Sequence, residues 1–464
     1  MSKSWNPLII FLSFCGLVLL PHAARAQTHF AGSPVGIVAS HASYNGADIA
    51  WMLVASALVM LMTPAIALFY SGLVRSKNAL SVLMMSFVAS GVVTVQWVIF
   101  GYSLAFGPDH HGLHGDFAWS FLRHVGFLPS PLAPTIPHLL FMVFQMMFAT
   151  MTAAIIGGAV AERMKFGSYL LFMLLWTTIV YDPLAHWVWS GSGWLHQMGF
   201  LDFAGGTVVH ISSGVSALVL ALMIGKRRRT ASGDELRPHS LPLTLAGTAL
   251  LWFGWFGFNA GSAEHANLLA VSAFVNTHIA TGTAAITWML LEWRFYKRPT
   301  ALGFASGAVA GLVAITPACG YVLPFAALII GFTVAIVAFF AIRLKTLVGA
   351  DDALDVFGIH ACSGIWGALA TGIFATKMVN SAAENGLLYG NPAQLGIQLI
   401  GIVATVALAA VGSYLIGLLV RKLCGLRSSD REEDQGIDIA ALGEEAYSGK
   451  GGGTVFAPNY STSD

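Results

Sequence analysis

Long apolar runs separated by short polar turns occupy nearly the whole chain. Eleven of them lie at 48–70, 79–105, 137–160, 168–188, 203–225, 240–261, 268–292, 300–317, 322–342, 355–376 and 396–420. Each approaches the ~20 residues a helix needs to cross a bilayer core. In lipid the backbone satisfies its own hydrogen bonds, so runs of this length predict helices. The pattern predicts an all-α integral membrane protein with eleven transmembrane helices. The earliest apolar run is of another kind. Lys3, the run Leu8 to Leu20, and Ala24-Arg25-Ala26 fit a secretory signal peptide over 1–26. Gln27 is then the mature N-terminus, on the outer side; an uncleaved anchor helix is the alternative. The predicted organisation is a signal peptide (1–26), an outer segment (27–47), an eleven-helix domain (48–420) and a cytoplasmic tail (421–464).

Composition and charge sharpen this picture. Hydrophobic residues make up 56% of the 464 positions and charged residues 10%, far below the roughly one quarter usual in soluble domains. Lys and Arg (23) nearly balance Asp and Glu (22), which gives no sign of nucleic-acid binding. Of those 23, two leave with the signal peptide. Alternating the spans from an outer N-terminus leaves only Arg123 and Lys377 of the rest outside, as the positive-inside rule requires. The tail is then cytoplasmic. Eleven spans also permit two inverted five-helix repeats plus one C-terminal helix, a plan used by many transporters. Cys319, Cys362 and Cys424 lie in apolar surroundings and read as packing residues. The 106–136 loop carries His110, His111 and His114, which could in principle hold a metal, but a solvated loop explains them better and the sequence assigns them no function.

Ionisable groups at membrane depth are costly and therefore functional candidates. His210 lies eight residues after Asp202, and His360 five residues after Asp355, in spans of opposite direction. Each imidazole is thus carried toward mid-membrane from opposite faces. Singly, either serves equally well as a structural histidine. As a pair they suit a small polar solute or a proton hop, since neutral imidazole both donates and accepts. Asp202 and Asp355 are placed as helix N-caps. Aromatic faces attract ammonium-type cations. Phe144 and Phe148 share a face of the third span, Trp189 ends the fourth, and Phe258 and Ser262 share a face of the sixth. Taken one by one, these rings also fit interfacial-belt or core roles.

At these residues the chain resembles the ammonium transporter family, which includes the Rh proteins. The matching stretches are Asp202-Phe-Ala-Gly-Gly-Thr-Val-Val-His210, Ala67-Leu-Phe-Tyr-Ser-Gly-Leu73, Ala161-Glu-Arg163, Gly254-Trp-Phe-Gly-Phe-Asn-Ala-Gly-Ser262, Thr316-Pro-Ala-Cys-Gly-Tyr321 and Asp355-Val-Phe-Gly-Ile-His360. The resemblance implies a homotrimer with one pore per subunit, in the plasma (inner) membrane, taking ammonium and methylammonium and needing no cofactor. It implies ammonium recruitment at Trp189, Phe148 and Ser262, and a stacked aromatic gate of Phe144 and Phe258. It further implies a conduction path lined by His210 and His360. Asp202 corresponds to the family's signature carboxylate, and Phe203 to a position thought to tune conductance. Two departures are the Ser190-Gly-Ser192 stretch, one residue longer before Asp202 than the bacterial form, and Met146-Met147 in place of a small pair.

The resemblance implies ammonium transport, with ammonia crossing the pore and the proton either following separately or staying outside. An ammonium sensor and an Rh-like gas channel are the alternatives. A tail of about 40 residues is short for a fused signalling domain, and Trp189 and Ser262 argue against the gas channel. An enzyme is disfavoured: Gly225-Lys226 lacks a glycine-rich phosphate loop, and no nucleophile–base set stands out. Gly425-Leu-Arg427, Gly436-Ile-Asp438 and Gly443-Glu-Glu-Ala-Tyr447 follow the tail pattern of bacterial relatives that bind a trimeric PII-type nitrogen regulatory protein. Residues through Tyr447 are therefore expected to pack on the inner face, and residues 450–453 to be mobile.

Overall fold

The computed structural model describes residues 44–228, 236–347 and 349–447. The expected signal peptide (1–26), most of the segment 27–47 and the glycine run 451–453 lie outside the described residues. Among the described residues are ten helices long and apolar enough to cross a membrane, and one shorter apolar helix. In chain order they are α1 (Gly46–Leu73), α2 (Ser76–Phe106), α3 (His138–Val160), α4 (Phe166–Gln197, interrupted after Trp189), α5 (Gly206–Ile224) and α6 (Leu241–Gly261). There follow α7 (Leu268–Tyr296), α8 (Ala301–Ile315), α9 (Pro324–Arg343), α10 (Phe357–Phe374) and α11 (Pro392–Cys424). Each of the eleven apolar runs from residue 48 onward corresponds to one of these helices.

Local sequence explains several helix starts. Asn45, Ser240, Asn267 and Thr300 each accept a backbone N–H of the first turn that follows. Such side chains satisfy donors that no helical carbonyl reaches. Small residues then decide which helices pack most closely. On α6, a Cβ at Gly247 would lie 2.4 Å from the Phe69 nitrogen of α1, and one at Gly257 would lie 2.5 Å from Leu58 Cβ. Backbone therefore meets backbone along the α1–α6 seam, where apolar burial alone gains little in lipid.

The two ends of the bundle are built differently. At one end the α2–α3 connection forms a short hairpin, Asp109–His110 against His114–Gly115. At the other, ion pairs tie the helix ends together. Arg75 and Arg227 contact Glu162 at 2.9 and 3.3 Å, and Arg227 reaches Asp351 at 2.8 Å. Burial opposes ionisation of Asp351, but the Arg227 guanidinium outweighs it and holds the carboxyl at about 2.

The tail packs against this same end. Asp438 accepts hydrogen bonds from Leu80 N (2.9 Å) and Ser81 N (2.7 Å), at the start of the α2 segment that follows Asn78. Ile437 N donates to Asn78 Oδ1, Lys77 Nζ donates to Glu433 O and Asp434 O, and Arg427 pairs with Glu433 through two nitrogens. Tyr447 lies 2.8 Å from His239 Nε2. The expectation that residues through Tyr447 pack on the body agrees with this arrangement.

Candidate functional site

The two histidines stand on π-helical segments, Gly206–Ile211 at the start of α5 and Phe357–Cys362 at the start of α10. Such widened turns free backbone groups and recur at functional sites. Each segment needs a strong cap. Asp202 supplies the one on α5: its carboxylate accepts from Gly205 N, Gly206 N and Thr207 N at 2.6–2.8 Å and from the Thr207 hydroxyl. Gly205 sits at φ +107, and a Cβ there would press on Val209 Cγ2 at 2.7 Å, so only glycine fits this entry.

On α10 the expected cap is wrong by one carboxylate. Asp355, at φ +59, points to Lys345 in an ion pair. The side chain that accepts Phe357 N, at 2.7 Å, is that of fully buried Asp352. Asp352 precedes His360 by eight residues, as Asp202 precedes His210. That matched spacing in two oppositely directed spans is the signal that the sequence reading passed over. It relates the halves more closely than the Asp355 assignment did.

Between these caps the two imidazoles meet. His210 Nδ1 and His360 Nδ1 are 3.2 Å apart, with ring planes 25° from parallel. At that separation one nitrogen donates and the other accepts. Both rings are buried. On its other side His210 stacks on Trp255, with centroids 5.3 Å apart and planes at 17°. Trp255 is fixed in turn by its indole N–H, which donates to Thr316 Oγ1 at 2.9 Å. His210 Nε2 is buried and makes no hydrogen bond within the protein. It is a polar atom without a protein partner in an apolar surround.

Above the pair lies an aromatic cluster. Phe148 stacks face to face on Phe258, with centroids 4.2 Å apart. Phe144 was expected to form that stack. It meets Phe148 edge-on at 4.9 Å instead and packs against Gly261. The i, i+4 spacing put both phenylalanines on one face of α3 but could not choose which ring reaches α6. Trp189 meets Phe148 edge-on at 5.8 Å, and its indole N–H donates to Asp202 O at 3.0 Å. Ser262 Oγ donates to Phe258 O at 2.9 Å. Phe203 lies apart from this cluster, against Gly320 and edge-on to Tyr321. Phe148 thus joins Trp189, Phe144 and Phe258, and Phe258 lies 6.0 Å from the His210 ring.

A further buried carboxyl escaped sequence reasoning. Asp182, in α4, accepts from Gln96 Nε2 of α2 at 2.6 Å and has no solvent exposure. Its apolar flanks and the neighbouring proline read as an ordinary helix. Only its depth in the bundle marks it.

A multi-pass helical bundle that buries an imidazole pair beneath packed aromatic rings has the architecture of a membrane transport protein. The model of the Ammonium Transporter Family matches residues 50–447, and the chain belongs to that family. It is 50% identical over 401 residues to an ammonium transporter of Bacillus subtilis, covering 86% of this chain and 98% of that protein. It is 45% identical to the ammonium transporter Amt1 of Archaeoglobus fulgidus, over 86% of this chain and 99% of the relative. The crystal structure of Saccharomyces cerevisiae Mep2 superposes with a TM-score of 0.79 at 39% identity, covering 84% of this chain and 89% of that one. Both sequence relatives are named as ammonium transporters, not as enzymes.

Proposed function

We propose that the protein conducts ammonia derived from external ammonium. NH4+ is recruited where Trp189, Phe148 and Ser262 lie around the outer mouth. Ring faces and a hydroxyl replace part of its hydration shell. It gives up its proton there, and NH3 passes the Phe148–Phe258 stack and travels along His210 and His360. Phe144, one turn before Phe148 on α3, packs edge-on against the stack. Asp202 holds the π-helical turn beneath the mouth, and its carboxylate is already engaged by backbone donors, which favours a bracing role over direct contact with the ion. Phe203 shapes the mouth on the Tyr321 side. The observation that carries this reading is the buried Nδ1–Nδ1 imidazole contact, set beside an unpartnered Nε2 in a dry surround. A neutral guest with donors and a lone pair meets complementary groups there, whereas a bare cation loses its hydration without a countercharge.

The same reading places the hairpin end outside, the tail in the cytoplasm and the signal peptide cleaved, with three subunits around a common axis in the inner membrane. The docked segment 425–447 is then the surface that meets a PII-type trimer, whose threefold symmetry would match the channel's. Proteoliposomes holding the purified protein, pulsed with ammonium, methylammonium or Na+ on a solid-supported membrane, test transport. Currents or uptake with the first two and none with Na+ support it; no ammonium-dependent signal from folded protein overturns it. A sensor reading draws on a solved structure described as a sensor Amt protein, 30% identical with a TM-score of 0.78. Tail rearrangement on ammonium binding without net flux would favour that reading.

A further inference from the structure

The hairpin between α2 and α3 holds three histidines at one tip. His110 and His114 are cross-strand partners, and their ring centroids lie 5.1 Å apart. His111, in the intervening turn at φ +59, brings its ring to 4.6 Å from that of His110. A metal ion bound by two imidazole nitrogens at about 2.1 Å, with ligand angles of about 90–110°, holds ring centroids about 4.5–5.3 Å apart. Both separations fall in that range. His114 is also oriented as a ligand would be. Its Nδ1–H donates to Gly115 O at 2.8 Å, which leaves Nε2 as the lone-pair nitrogen.

The backbone under this tip is held firmly. Asp109 Oδ1 accepts from Gly112 N at 2.8 Å and lies 2.8 Å from His186 Nε2. Gly112 O receives Trp194 N, and Leu113 O receives the Trp187 indole N–H at 2.7 Å. Ordering the loop therefore adds little to the cost of binding. His110 and His111 are exposed, so their rings turn without disturbing packing, while half-buried His114 is held in place. In the present rotamers no three such donors among the described residues converge on one point. Closure needs rotation of the exposed His110 and His111 side chains toward His114, which stays held by Gly115 O.

We propose that His110, His111 and His114 bind one borderline divalent transition-metal ion of the Zn2+, Cu2+ or Ni2+ class, with water in the remaining position. Imidazole suits these ions, while hard cations such as Ca2+ and Mg2+ prefer oxygen ligands. The site is separate from the His210–His360 pair and does not depend on what the pore conducts.

The test is calorimetric titration of Zn2+ into the full-length, untagged, EDTA-treated protein in detergent, with Mg2+ as the contrasting ion. One saturable Zn2+ per chain is expected, with no Mg2+ binding. His110→Ala and His114→Ala are each expected to weaken it at least tenfold, with unchanged elution on size exclusion to show that the fold is kept. No saturable Zn2+ binding, or binding unaltered in the H110A/H114A double variant, overturns the proposal.

Discussion

His210 and His360 approach each other through like atoms, Nδ1 to Nδ1 at 3.2 Å, although 150 residues separate them. The contact fixes complementary tautomers on the two rings. A proton that shifts on one ring must be answered on the other. Each imidazole therefore sets what its partner can offer a guest, and the pair acts as one unit.

Replacing either member should disable that unit. His210→Ala and His360→Ala are each expected to reduce ammonium flux roughly tenfold or more, since each unmet polar group costs about 1–3 kcal/mol. Proteoliposome flux compared with size-exclusion elution checks this. Wild-type rates and selectivity in both folded variants would refute the shared site.

The stacked rings separate the roles of two phenylalanines. Phe148→Ala removes the partner of Phe258 and the edge contact to Trp189, so it should alter flux and apparent affinity for ammonium. Phe144→Leu keeps most of the volume beside Gly261 and should change both less. Concentration-dependent currents of the two variants measure the difference, and equal effects would return Phe144 to the gate.

Asp202 and Asp352 cap the π-helical turns that carry the two histidines. Asp202→Ala should lower the midpoint of thermal unfolding more than Asp202→Asn, which keeps an acceptor oxygen; loss of a cap costs about 1 kcal/mol. Asp352→Ala should lower it as well. Asp355→Asn, by contrast, should matter little, since that side chain reaches only Lys345 among the ion pairs and asparagine tolerates the left-handed backbone there. Melting curves of the four variants give the ranking.

Among the contacts that hold the tail, Asp438 accepts two backbone donors of α2. Asp438→Ala should loosen residues 425–447, seen as faster proteolysis after Cys424, and it should weaken capture of a PII-type protein. Truncation before Gly425 should remove that capture altogether. Pull-downs with ADP and with ATP plus 2-oxoglutarate decide the partner: capture in neither state by the intact protein removes it.

The Arg227–Asp351 pair makes a pH prediction. In the folded chain the Asp351 carboxyl is held at about 2, below its ordinary 3.8. A depressed carboxyl contributes stability that is complete above about pH 4 and lost as pH falls toward 2. Arg227→Met should therefore lower the melting temperature at pH 6, and its difference from wild type should shrink as pH falls through that window. A difference independent of pH would show that the pair contributes through packing alone.

What the sequence determined by itself follows from the solvent. A bilayer demands apolar helices of a set length, so the run of spans, including short α8, was legible in number and order, though not in the ends of each helix. The histidines were legible because an imidazole at membrane depth is rare and costly, and Asp202 because a carboxylate ahead of a glycine-rich turn has few other uses. Tertiary structure decided which groups meet. Phe144 and Phe148 share a helix face, and only the approach of α6, close enough at Gly261 to touch Phe144, puts Phe148 on Phe258. Asp352 and Asp355 are both near the start of α10, and the left-handed backbone at Asp355 turns its side chain to Lys345 and leaves the cap to Asp352. Asp182 looked unremarkable in its apolar run until packing against Gln96 of α2 buried it. Periodicity along one helix fixes a direction, but which neighbour fills that direction depends on how closely helices far apart in sequence approach.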